Sequence, residues 1–152
     1  MTPRRLWSLN ETHGTSAGVK KNIAQRAQVR PDGKKLIAEN QLVRLPNPVR
    51  GRKYVVDFKA PEFTCLCPVS GLPDFATILI RYQPREWIVE LKSLKLYFNG
   101  FRDRGIFHEA VVNHILDDLN QLLEPWEIEV VGDFNVRGNI KTIVTAKESR
   151  AE

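Results

Sequence analysis

Hydrophobic positions change period twice along the chain. Residues 53–59 (KYVVDFK) and 75–82 (FATILIRY) are rich in β-branched and aromatic side chains and predict two strands. Residues 87–89 extend the sheet briefly. Over 91–101 the period becomes helical, with Leu91, Leu94, Tyr97, Phe98 and Phe101 sharing a face. Gly105 interrupts, and Phe107, Ala110, Val111, His114, Ile115, Leu119, Leu122 and Leu123 mark a longer amphipathic helix that Pro125 ends. Residues 126–136 and 140–145 return to strand, joined through Arg137-Gly138-Asn139. Between the first two strands, residues 61–74 carry three prolines and a glycine and read as a long, shaped connection. The order β-β-α-α-β-β predicts an α+β domain, an antiparallel sheet with two helices on one face.

Upstream the pattern fades. Residues 1–22 read as disordered, because 12–18 are small, polar and without period. Residues 23–45 have room for a short helix before Pro31, and Pro46-Asn47-Pro48 then punctuates the chain. The expected division is an arm, 1–45, partly disordered, and a folded domain, 46–152.

Composition narrows the class. The chain has 152 residues, 42% hydrophobic and 27% charged, which suits one globular domain. No hydrophobic run exceeds three residues, where a membrane-spanning helix needs about 20. Arg4-Arg5 has no apolar stretch behind it, so no secretory signal is expected. Cys65 and Cys67, one residue apart, do not make a disulfide scaffold, which favours a reducing, cytoplasmic setting. The net charge of +5 is uneven: residues 1–52 hold eleven Lys/Arg against three Asp/Glu. Such an arm either grips phosphates or is simply solvated, and Trp7 is its only aromatic residue.

Several residues carry candidate chemistry. Cys67 sits in the Pro/Gly-shaped segment seven residues before Asp74, so it is either a small buried hydrophobe or a thiol with a carboxyl group at hand. With three histidines, one of them in the arm, a four-ligand zinc site is not expected. Glu90 ends a strand and His108-Glu109 opens the second helix. Their carboxylates match paired N–H donors, as on the amidine edge of a guanine-like base, but Glu109 also reads as an ordinary first-turn acid. His108 suits proton delivery near neutral pH. Lys92 and Lys95 share a helix face with Arg102 and Arg104 just beyond, a patch for phosphates or a solvated face. Arg137-Gly138 adds a cation beside a backbone that a ligand can approach closely.

Three segments in order, FTCLCPVSGLPDF (63–75), ELKSLKLY (90–97) and FRDRGIFHE (101–109), resemble those of single-domain NADPH-dependent nitrile reductases. That family has the tunnelling fold and converts 7-cyano-7-deazaguanine to 7-aminomethyl-7-deazaguanine, a queuosine precursor. The resemblance covers residues 46–145 and leaves the arm outside. It implies that Cys67 is the nucleophile, forming a thioimide with the nitrile, and that Asp74 is the proton donor. It further implies substrate contacts from Val89, Glu90, Leu91, His108 and Glu109, and cofactor contacts from Leu91, Lys92, Arg137 and Gly138. Two NADPH per nitrile, no metal, no direct nucleic-acid binding, and a homo-oligomer of two stacked pentamers with interfacial active sites complete the expectation. Cys65 and Gly100 stand where the family commonly has serine. The alternatives are a tunnelling-fold amidinotransferase acting on nitrile-modified tRNA, against which ELKSLKLY argues, and a non-catalytic RNA-binding module, favoured by the basic arm alone.

Overall fold

The computed structural model describes residues 41–151. The readings of residues 1–22 and of a helix before Pro31 lie outside the described residues. Among the described residues, six strands and two helices follow in order: β1 (Arg44–Pro46), β2 (Val56–Leu66), β3 (Pro73–Gln83), β4 (Trp87–Val89), α1 (Leu91–Asn99), α2 (His108–Leu123), β5 (Glu127–Phe134) and β6 (Ile143–Ser149). Strands β2-β3-β5-β6 form an antiparallel sheet in that order, and β1 pairs with β4 in a small separate ladder. The β-β-α-α-β-β reading therefore holds for the main elements; β1 is an addition to it, and residues 87–89, read as a brief extension of the sheet, pair with β1 instead.

The alternation of β3 explains why one face of the sheet is covered. Ala76, Ile78, Ile80 and Tyr82 are buried, while Phe75, Leu79 and Arg81 face outward. Ile128, Val130 and Phe134 of β5 continue the same apolar face. Helix α2 lays Val111, Val112, Ile115, Leu119 and Leu123 across β5 and β6, and α1 rests against β2.

The segment 61–74 differs from its reading. It is not a long connection: β2 continues to Leu66 and β3 begins at Pro73, leaving only 67–72 as the hairpin loop. Pro61 is tolerated because it falls at a register shift between Ala60 and Phe63, on a strand at the edge of the sheet. At the other end, Gly138 (φ 57°) and Asn139 (φ 67°) form the tight turn between β5 and β6, closed by reciprocal bonds of 3.0 Å between Arg137 and Ile140.

Gly132 sets how near α2 comes to the sheet. A Cβ there would lie 2.5 Å from Val112 Cγ2 and 2.8 Å from the Phe134 ring. Gly132→Ala should therefore overpack the core and destabilise the domain by about 1–3 kcal/mol. Urea unfolding reads this directly, as a lower midpoint with an unchanged slope.

Candidate active site

The β2–β3 loop holds Cys67 where the strand lets go of it. Cys67 N–H donates to Leu72 O and Gly71 N–H donates to Cys67 O, both at 2.8 Å, and Gly71 takes φ 70° to close the turn. Outside this loop, Leu66 bonds on both sides to the segment before α2, with Leu66 N to Arg104 O at 2.9 Å and Ile106 N to Leu66 O at 3.0 Å. That strap brings the start of α2 beside the loop.

Asp74, the second residue of β3, is buried, and two long-range partners meet its carboxylate. Arg137 Nη1 donates to Oδ1, and His108 Nε2 lies 3.2 Å from Oδ2. The His108 ring stacks on Phe134, with centroids 3.8 Å apart and planes 12° from parallel. Arg137 also donates through Nη2 to Ser70 Oγ at 2.8 Å. Cys67, Ser70, Asp74, His108 and Arg137 thus form one cluster drawn from a loop, a strand, a helix start and a hairpin turn.

The two thiols differ sharply in this setting. Cys65 is fully buried and paired across the ladder with Asp74; burial first, then the Asp74 charge, push its pKa up to about 11. Cys67 is pulled down to about 7, first by the Ser70 hydroxyl, then by the Ser70 and Val69 backbone N–H groups, with the Arg137 charge a smaller contribution. Cys67 lies just past the end of β2 at Leu66, so the strand alternation that turns Cys65 into the core does not govern it.

The second group of expected residues lies elsewhere. Val89 ends β4, and Glu90 caps α1: its carboxylate accepts from Lys92 N at 2.8 Å and Ser93 N at 2.6 Å. These bonds hold the Glu90 carboxyl below its ordinary range. Ser93 Oγ donates to Glu90 O at 2.7 Å and accepts from Val43 N at 3.0 Å, tying β1 to the helix start. Leu91 and Lys92 are exposed on the first turn. Among the described residues, no hydrogen bond or ion pair joins 89–92 to the Cys67 cluster. Glu109 is exposed beside His108, in the first turn of α2. Gly138 is in the turn next to Arg137.

Between α1 and β2 runs a cavity of about 470 Å³, lined by Phe58, Phe63, Leu91, Phe98, Lys95 and Arg102 among others. Residue-level reading missed Ser70 and Phe134. Ser70 had a signal, a hydroxyl three residues after a cysteine beside a glycine turn; Phe134 looked like any core aromatic.

An antiparallel sheet carrying two helices, with a low-pKa thiol beside a buried carboxylate–histidine pair, defines an α+β protein equipped for thiol chemistry. A family model described as "QueF-like protein" matches residues 73–152. The chain belongs to this family. A protein of Thermosynechococcus vestitus named "NADPH-dependent 7-cyano-7-deazaguanine reductase" is 49% identical over 118 residues, 78% of this chain and 89% of its own. One of the same name from Anaeromyxobacter sp. (strain Fw109-5) is 62% identical over 102 residues, 67% of this chain and 84% of its own. A third, from Trichormus variabilis, is 50% identical over 128 residues, 84% of this chain and 94% of its own. That span is longer than 46–152, so the likeness reaches into the arm, which the resemblance of the three segments had left out. Among solved structures, "Crystal structure of the archaeosine synthase QueF-Like in the apo form" superposes with TM-score 0.59 at 20% identity, covering 64% of this chain and 96% of that one. It carries the tunnelling fold and, at that identity, the fold alone.

The thiol contrast has a direct readout. Alkylation by iodoacetamide should label Cys67 with a midpoint near pH 7, the rate rising with pH as thiolate forms, while Cys65 stays unlabelled in the folded protein. Mass spectrometry of fragments that separate the two cysteines checks it.

Proposed function

We propose that the protein is an oxidoreductase that reduces 7-cyano-7-deazaguanine to 7-aminomethyl-7-deazaguanine with NADPH, in the formation of queuosine for tRNA. The observation that carries this reading is that one guanidinium, Arg137, serves both Cys67, a thiol with a pKa of about 7, and the Asp74–His108 pair. Relatives bearing the reductase name at 49–62% identity support it.

The residues account for the chemistry in turn. The Cys67 thiolate adds to the nitrile carbon, forming a C–S bond, and the displaced π pair takes a proton at nitrogen. Asp74 donates that proton, and His108, in contact with Asp74, replenishes it and borders the substrate. Conversion of the unreactive nitrile to a thioimide gives a carbon able to accept hydride. NADPH supplies hydride, and the four-electron change takes two molecules in turn; with two protons the balance is one amine and two NADP⁺. Between the two reductions the C–S bond breaks and its electron pair returns to Cys67. No metal enters this scheme.

The exposed first turn of α1 and the adjoining cavity fit a dinucleotide. Lys92, Lys95 and Arg102 offer cations for phosphates, and Leu91, Phe58 and Phe98 an apolar wall for a flat ring. Arg137 has 41% of its side chain exposed despite its bond to Asp74, and with Gly138 it would complete the cofactor contacts. Glu109 and Glu90 would accept from the base edge, with Val89 and Leu91 alongside; both Glu90 oxygens keep a second lone pair beyond the cap.

The separation of residues 89–92 from Cys67 within one chain supports a homo-oligomer in which neighbouring copies complete each site. Among the described residues no further strand pairs with the outer edges of β2 and β6, which gives such copies a place to join, as in a decamer of two pentamers. We assign the catalytic domain to 46–152 together with Val43 and β1, which dock on β4 and α1, the remainder of 1–45 to the basic arm, and the enzyme to the cytoplasm, where NADPH and free thiols are kept. A free base as substrate requires no direct nucleic-acid binding.

Purified protein should oxidise about two NADPH per nitrile consumed, the ratio that four electrons require. Absence of nitrile-dependent NADPH oxidation would falsify the reductase reading. Intact mass after mixing with the nitrile base alone should show a covalent adduct that Cys67→Ala abolishes and Cys65→Ser keeps. An adduct that survives Cys67→Ala would move the nucleophile to Cys65. For the base edge, Glu109→Ala leaves N–H donors unpaired at about 1–3 kcal/mol, hence about 5–150-fold weaker binding by calorimetry. Unchanged affinity would make Glu109 an ordinary helix-start residue.

A further inference from the structure

Ser93, in the first turn of α1, is buried, and its hydroxyl is committed as both donor and acceptor. It donates to Glu90 O at 2.7 Å and accepts Val43 N–H at 3.0 Å. Val43 O in turn accepts Glu90 N–H at 2.8 Å, and Ser93 N–H donates to Glu90 Oε2 at 2.6 Å. These bonds close a ring through Val43, Glu90 and Ser93, which grips Glu90 by its amide, its carbonyl and its carboxylate. The ring is anchored outside the helix. Beyond Val43 the chain pairs with β4, Arg44 Nη1 donates to Leu122 O near the end of α2 at 3.1 Å, and Asn47 N–H donates to Glu86 O at 2.8 Å. Residues 43–47 are therefore a strap fastened to both helices and to the β3–β4 turn. First turns of helices fray, and a cap carboxylate is held only as firmly as the amides it accepts from. Here the Ser93 hydroxyl ties that turn to the strap.

We propose that Ser93 is a positioning residue for the base edge. It touches no reacting atom, but keeps the Glu90 carboxylate in one place by fastening the first turn of α1 to the strap 43–47. The strap thereby takes part in substrate recognition without reaching the substrate. The inference rests on Glu90 accepting from the base, as proposed above.

The test is a double-mutant cycle in the full-length protein, read as calorimetric affinity for 7-aminomethyl-7-deazaguanine. This ligand has the base edge but no nitrile for Cys67 to attack. Ser93→Ala frees the carboxylate, and re-ordering it on binding should weaken affinity about 2–12-fold. In a Glu90→Ala background the same change should do nothing further, whereas in Glu109→Ala it should keep its full effect. Equal weakening with and without Glu90 overturns the proposal, since the hydroxyl would then act on the domain at large. Unchanged affinity in Ser93→Ala overturns it as well. Val43→Pro deletes the bond to Ser93 Oγ from an exposed residue and should reproduce the cycle. It takes the place of Ser93→Ala if the buried substitution does not fold, and failure of both to fold also overturns the proposal. Wild type that does not bind the base at all would overturn the reductase reading, and the proposal with it. The other outcomes arise with wild-type binding intact, which keeps the two failures apart.

Discussion

A carboxylate buried in the sheet dictates how the rest of this domain comes together. Asp74 sits at the start of a core strand, where an unpartnered charge would cost several kcal/mol. Its two oxygens are met by Arg137, from the turn after β5, and by His108, from the first residue of α2. For both to arrive, α2 must lie low over β5, which a side chain at residue 132 would prevent. The His108 ring must also lie flat, which the Phe134 face ensures. Core packing and site assembly are here the same event.

The elements were legible because their periods are strong: the alternation of β3 and the apolar stripe of α2 were read almost to their ends. Segment 61–74 was not, because proline usually breaks a strand and nothing in the local sequence says that Pro61 lies at an edge-strand bulge. β1 was missed because three residues containing a proline carry no period. At the site, spacing alone left Cys67 undecided between core and nucleophile, and the three-segment resemblance tipped the choice. The structure sets the two thiols apart physically, since one faces the core and a carboxylate and the other faces hydroxyl, amide and guanidinium. Ser70 was illegible as a member of this cluster because its bond to Arg137 spans 67 residues.

Glu90 shows how one side chain serves two levels of organisation. As a cap it fixes the start of α1 and, through Ser93 and Val43, the β1–β4 ladder. This leaves the carboxylate rigid rather than free to search for a ligand, which lowers the entropy lost when anything binds there.

The β3–β5 register is also a dimensional tolerance on the chemistry. Ala76 lies opposite Phe134, and Asn135 N–H reaches Phe75 O at 2.8 Å, immediately before the turn that carries Arg137. Sliding β5 by one residue would carry the guanidinium about 3.4 Å along the strand and turn Phe134 out of the core. His108 would lose its platform and Asp74 its counter-ion in the same slip. Any ruler mark other than the present one leaves a charge stranded in oil, so the sheet has a single setting at which it closes.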